Sequence, residues 1–168
     1  MKKTLFLILL AVICCFMCAC DPGSYAINRE KLNDVVSVEL IEYKNPEQKH
    51  FISWIPDQFD QLEQFNSANA MVIETLPSEK VSEFLDAFSK TDILNDYYAY
   101  NSPKDICIRL NYKNGNFLII WANYSENKYA GYIGKYSSDG KVISFWGSFS
   151  SLQSYKDLVN QYFNYSLE

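Results

Sequence analysis

Two short turn signals constrain the fold of this 168-residue chain more than anything else in it: Asn114-Gly115 and Asp139-Gly140, each set between runs rich in β-branched and aromatic residues. Both dipeptides accept positive φ, which suits the two-residue type I′ turn that joins antiparallel strands. They predict two hairpins in succession, residues 106–112 with 117–122 and residues 129–136 with 142–149. With two-residue loops, Ile106, Ile108, Leu110 and Tyr112 share a core face with Phe117, Ile119 and Trp121. The opposite face then carries Cys107, Arg109 and Asn111 beside Leu118, Ile120 and Ala122 and is only half apolar. In the second hairpin Ala130, Tyr132, Gly134 and Tyr136 fall with Ile143, Phe145, Gly147 and Phe149. That lays the Phe145 ring over Gly134, a known compensation for a glycine in a strand.

The remaining elements are read from periodicity. Residues 35–43 are β-branched and partly alternating, a strand that Asn45-Pro46 ends. Residues 47–68 read as a long packed loop with a short strand near Phe51 and a helical turn near Leu62, and residues 71–76 as a second strand. Val81, Phe84, Leu85 and Phe88 stand at i, i+3, i+4 and i+7, which predicts a helix beginning at Pro77-Ser78. Tyr155, Leu158, Val159 and Tyr162 give a second helix, with Ser154 and Asp157 as its capping pair. The expected order is ββαββββα. That is an α+β domain with an antiparallel sheet of about six strands, built largely from hairpins, and both amphipathic helices packed on one face.

The first twenty residues carry a different message. Lys2 and Lys3 precede an unbroken apolar run from Leu5 to Met17, the layout of a signal peptide. The tetrad Met17-Cys18-Ala19-Cys20 resembles the lipobox of bacterial lipoproteins, where an aliphatic residue stands three before an obligatory cysteine and a small residue directly before it. Cys14, Cys15 and Cys18 lack that small predecessor, which leaves Cys20. The resemblance implies cleavage before Cys20 and a thioether-linked diacylglycerol on it, often with a third acyl chain, typically palmitate, on its amine. Two or more chains suffice for stable anchoring. A plain secreted protein cut after Ala19 or an uncleaved anchor are the competing readings. The expected organisation is a signal peptide over 1–19, a lipidated cysteine and flexible tether over 20–33, and one domain over 34–168, on the extracytoplasmic face of a bacterial membrane.

Processing removes two of 15 basic residues and none of 20 acidic ones, so 13 − 20 leaves a net charge of −7. With no basic run longer than Lys2-Lys3, nucleic acid is not an expected partner. Of five cysteines only Cys20 and Cys107 survive, and with Cys20 lipidated Cys107 has no intrachain partner and reads as a buried small hydrophobe. One histidine, His50, cannot build a His-rich zinc site, and no metal or cofactor is expected. There is no Gly-x-Ser-x-Gly elbow and no Gly-rich phosphate loop. Carboxylates such as Glu39, Glu42 and Glu74 could in principle pair as general acid and base, but their spacing gives such a pair no support.

What stands out is aromatic density, with 13 tyrosines, much of it away from the inferred core face. Trp146 points opposite Phe145, next to Ile133, and with Tyr129 forms a candidate surface patch, while Tyr97, Tyr98 and Tyr100 lie in a tyrosine-rich connection. Flat amphipathic rings suit protein and glycan interfaces. The competing reading places these rings on the second face of the sheet, under the 47–68 loop. Residues Val35-Val36-Ser37-Val38-Glu39-Leu40, the Tyr112 to Gly115 hairpin and the 158–163 helix give the mature domain a resemblance to small uncharacterised lipoproteins of bacterial envelopes. That resemblance implies no activity and no catalytic residues. Three functions follow as expectations: a non-catalytic module binding an envelope protein or glycan, a structural or inhibitory envelope protein, and, least supported, a small hydrolase.

Overall fold

The computed structural model describes residues 24–44, 50–51, 64–94, 100–101, 105–121, 132–149 and 152–167. In chain order its elements are β1 (Ser24–Ala26), β2 (Val35–Tyr43), β3 (His50–Phe51), β4 (Ala70–Thr75), α1 (Ser78–Ser89), β5 (Asp92–Leu94), β6 (Tyr100–Asn101), β7 (Asp105–Tyr112), β8 (Phe117–Trp121), β9 (Tyr132–Tyr136), β10 (Val142–Phe149) and α2 (Leu152–Tyr162). Among the described residues, eight strands form one antiparallel sheet in the order β1-β5-β10-β9-β8-β7-β2-β4, and β3 pairs with β6 apart from it. The class is α+β, as expected. The sheet is wider than the six strands expected, because β1 and β5 are three residues each, too short to show a period.

β1 also corrects the extent of the tether. Residues 24–33 belong to the fold: β1 pairs with β5, a 3₁₀ turn follows over Arg29–Leu32, and Ile27 and Leu32 are buried in the core. Asn28 caps that turn, its Oδ1 accepting from the Glu30 N–H at 2.9 Å.

Both hairpins close with three-residue loops. The Gly115 N–H donates to the Tyr112 carbonyl at 2.9 Å and the Tyr112 N–H to Asn116 at 2.8 Å, with Gly115 alone at positive φ, +84°. The second repeats this, Gly140 N–H to Ser137 at 2.8 Å and Ser137 N–H to Lys141 at 2.9 Å, with Gly140 at φ +84°. Each is the turn closed by a left-handed glycine that follows the two-residue loop in frequency. One added loop residue moves the register by one, and with a side-chain period of two every partner changes face. Ile108 therefore stands opposite Ile120 and Leu110 opposite Leu118, while Phe117 faces Asn111 and Trp121 faces Cys107. The expected grouping of Phe117, Ile119 and Trp121 with Ile108 and Leu110 is thus overturned. In the second hairpin a bulge between Val142 and Ser144 restores the register as far as Phe145, which does lie opposite Gly134. A Cβ on Gly134 would stand 3.1 Å from that ring. A second bulge between Phe145 and Gly147 shifts the register again, so that Phe149 joins the helix-side core instead of the face of Tyr132 and Tyr136.

The new register sorts the sheet into two cores. One face is aliphatic: Val38, Leu40, Ile108, Leu110, Leu118, Ile120 and Ile133 meet Val81, Phe84, Leu85 and Phe88 of α1 and Tyr155, Leu158 and Val159 of α2. The helical spacing read from sequence matches these buried positions. The Tyr155 hydroxyl is satisfied at the Ile106 carbonyl, 2.7 Å away. α2 starts at Leu152, so Ser154 lies inside the helix rather than at its cap, and Asp157 accepts from Gln153 at 2.7 Å.

The other face is aromatic. Ile41, Tyr43, Cys107, Phe117, Ile119, Trp121, Tyr132 and Tyr136 form a second core around Phe65. Phe65 stacks on Tyr43 with ring centres 4.3 Å apart and meets Phe117 and Tyr136 at 5.2 and 5.7 Å. Its N–H donates to Gly140 at 2.8 Å, and a Cβ on Gly140 would come within 2.1 Å of the Phe65 carbonyl oxygen. Glycine at the hairpin tip is what lets the incoming chain dock. The neighbouring Asn66 N–H donates to the Tyr43 hydroxyl at 3.0 Å. Residues 64–68, the end of the stretch expected as a packed loop, thus lie over the second face. Residues 52–63, including residue 62 where a helical turn is expected, lie outside the described residues.

Candidate functional site

The polar groups of the aromatic face gather where β2 and β7 run side by side. Glu39 stands opposite Arg109, and alternation brings Ser37 and Asn111 to the same side. Arg109 directs Nε and Nη2 at one oxygen of Glu39, at 2.7 and 2.6 Å, and Asn111 Nδ2 donates to that oxygen and to Ser37 Oγ, both at 2.9 Å. The Arg109 and Glu39 side chains keep only 17% and 16% of their surface exposed, enough to meet water but not to be free in it. Three donors already occupy the Glu39 oxygen, so the cluster holds two strands together more readily than it moves a proton.

The other two carboxylates are also committed. Glu74 accepts from the backbone N–H and Nδ2 of Asn164 at 2.9 and 3.1 Å, and Glu42 lies 3.8 Å from Lys44 Nζ. Glu42 and Glu74 fall on the side of Leu40, whereas Glu39 is on the other. The sheet itself separates Glu39 from the pair. Among the described residues no three His, Cys, Asp or Glu side chains cluster closely enough to hold a metal ion. Tyr112 is a further buried polar group, its hydroxyl donating to the Lys31 carbonyl at 3.1 Å. Burial first, and the charge of Asp34 second, push its pKa up to about 12, so it stays a neutral donor.

The expected aromatic patch is not assembled as read from sequence. Ile133 has no exposed surface and belongs to the aliphatic core, which removes it from any binding surface. Trp146 does lie on the side opposite Phe145, but it is half-buried against that core. A bulge at Gly147, φ +117°, turns the strand there, and any Cβ on Gly147 would collide with the Leu94 carbonyl at 2.2 Å. Lys31 Nζ sits 5.5 Å from the centre of the Trp146 ring, and the Tyr25 hydroxyl donates to the Trp146 carbonyl. Tyr25, in the stretch expected as tether, is therefore a ring beside Trp146 that sequence reasoning missed. The backbone of Tyr100 pairs with Phe51 in the β3/β6 ladder. Cys20, Tyr97, Tyr98 and Tyr129 lie outside the described residues.

Exposed apolar surface is found instead on β4. Met71, Val72 and Ile73 are 57%, 44% and 38% exposed, three consecutive apolar side chains on a strand that pairs, among the described residues, only with β2. Sheet edges are ordinarily blunted by charge, proline or cover, because their unpaired N–H and C=O groups template another strand. A bulge between Leu40 and Ile41 distorts this edge, yet its middle carries no charge. The strand itself is legible in sequence; its place at the edge is not, since that depends on pairing between distant segments. No family model matches the chain, and no curated protein and no solved structure matches it either.

Proposed function

We propose that this chain is a lipoprotein, anchored through Cys20 to the extracytoplasmic face of a bacterial membrane, and that it is a non-catalytic module which takes up an extended segment of an envelope protein along β4. The observation that carries the binding half is the run of exposed Met71, Val72 and Ile73 on an edge strand. Strand addition draws affinity from main-chain hydrogen bonds and specificity from alternate side chains, which favours an extended peptide over a glycan as ligand. The filled aromatic face and the buried Ile133 point the same way, since they leave fewer flat rings for a sugar to stack on. The anchoring half rests on the Lys2-Lys3 start, the apolar run and the Ala19-Cys20 junction. The structural or inhibitory alternative is favoured by one feature, the occupation of both sheet faces; it differs in that the edge strand would block its partner rather than recruit it.

Two substitutions test the halves separately. Cys20→Ala is expected to release the protein or leave an unprocessed precursor lacking acyl mass; unchanged mass and membrane retention would sink the anchor. A photo-cross-linker at Met71, in the lipidated chain within its own envelope, is expected to join an extended apolar segment of another protein and to protect β4 amides from exchange. Ile73→Lys should abolish both. A cross-link between two copies of β4 would reassign the edge to self-association, and cross-links indifferent to Ile73→Lys would end the strand-addition reading.

A further inference from the structure

We infer that the β1 edge of the sheet rests in the headgroup layer of the membrane that holds the protein, with Tyr25, Lys31 and Trp146 as the contacting side chains and β4 held away from the surface. This builds on the lipidation of Cys20 proposed above. Because β1 begins at Ser24, four residue steps join the anchor to the sheet, at most about 14 Å of extended chain; a tether reaching residue 33 would have allowed about 45 Å. So short a connection fixes which part of the domain meets the bilayer. β1 is one edge of the sheet and β4 the other, seven strand spacings or about 34 Å apart.

The side chains at the tethered edge fit that surface. Tyr25 is exposed, its hydroxyl on the Trp146 carbonyl, and the half-buried Trp146 ring has the Lys31 ammonium above it. Tyrosine and tryptophan concentrate at membrane interfaces, where an apolar ring and a polar edge are both accommodated, and lysine reaches from there to phosphate. Net basic charge plays no part: Arg29 is taken by Asp86 at 2.7 Å, and Asp92 stands opposite Ala26 on the neighbouring strand. The contact is therefore with zwitterionic headgroups, and anionic lipid does not strengthen it. The arrangement also serves the binding edge, since it presents β4 to partners beyond the lipid surface.

The test uses the lipidated full chain in phosphatidylcholine vesicles that carry a quencher at headgroup depth. A fluorophore is placed on Ala26→Cys or, separately, on Thr75→Cys; Cys107 is fully buried and does not label in the folded protein. Loss of most emission at 26 and none at 75, unchanged by adding anionic lipid, is the expected result. Lys31→Glu and, as a second variant, Tyr25→Ser should each restore part of the emission at 26, with the far-ultraviolet circular dichroism and the denaturation midpoint unaltered. Equal quenching at both positions, or none, in protein that floats with the vesicles would overturn the orientation while leaving the anchor intact. Protein that neither floats nor carries acyl mass would overturn the anchor, and the orientation with it. Quenching at 26 that ignores both variants would overturn the assignment of Tyr25 and Lys31.

Discussion

The two faces of the sheet each carry a buried core, yet these are built in different ways. The helix face is aliphatic and lies under two amphipathic helices, each of which turns an apolar stripe to it, Val81 to Phe88 and Tyr155 to Val159. The aromatic face is closed around single anchors: Phe65 seated among Tyr43, Phe117 and Tyr136, and the Glu39–Arg109 pair braced by Asn111 and Ser37. A stripe spreads stabilisation over many residues of local sequence, whereas an anchor concentrates it in one residue from a distant segment. The first should fail with the whole domain and the second locally.

The largest expected effect comes from truncating a ring in each core. Phe84 is fully buried and meets Phe88, Tyr162 and Phe163, so Phe84→Ala leaves a cavity between the helices and should cost about 3–5 kcal/mol. Denaturant unfolding should remain a single transition at lower midpoint. Phe65→Ala removes as large a ring from among Tyr43, Phe117 and Tyr136 and should cost as much, about 3–5 kcal/mol. Amide exchange should then rise around residues 64–66 and the tip of the β9/β10 hairpin, with the helices unchanged. If Phe65→Ala loosened both helices equally, the two faces would be one cooperative core and the contrast would be false.

How far the sequence discloses each face follows from the same contrast. The stripe of Val81, Phe84, Leu85 and Phe88 was readable because a helix repeats its signal every turn. The order of strands within β7 to β10 was readable too, because consecutive hairpins place neighbours in sequence side by side. Faces within the first hairpin were not, since Asn114-Gly115 suits loops of two or three residues and the choice inverts every assignment that depends on it. Phe65 was visible as an apolar residue in a polar stretch, but nothing local says that it reaches Gly140 and Tyr43. The β1 strand escaped for want of length, and with it the shortness of the link to Cys20. On the candidate site, Trp146 was placed on the correct side, while the burial of Ile133 and the nearness of Tyr25 came from non-local pairing.

A middle-sized effect tests whether the polar cluster is structural. Glu39→Ala strands Arg109 in a site where 17% of its side chain is exposed, and residual access to water moderates the penalty to about 1–3 kcal/mol. Replacing both partners with apolar residues of similar size, Glu39→Leu with Arg109→Met, should recover most of the loss in the same unfolding assay. A double variant that folds stably and also keeps the β4 cross-link would confine the cluster to holding β2 against β7. Loss of the cross-link with stability intact would instead tie the cluster to binding, and the aromatic face would no longer be merely a second core.

The smallest effect is in pH, and it concerns the helix face. Tyr112 belongs to that core, and burial raises its pKa from the usual 10 to about 12, so folding favours the neutral hydroxyl that donates to Lys31. An acid whose pKa is higher when folded contributes its full stabilisation below the unfolded value, near pH 10, and loses it as pH rises through about 12. Denaturation midpoints should therefore be level in this respect from pH 7 to 9 and fall between 10 and 12, with a steeper fall than in Tyr112→Phe, which has no proton to lose. The fall should accompany loosening of the 3₁₀ turn that carries Lys31, read by amide exchange at Leu32 and Asn33, while Phe65 and its neighbours stay protected. Parallel midpoints in the two proteins would mean that the hydroxyl is hydrated in the folded state, and that this end of the helix face is wetter than the aromatic face behind it.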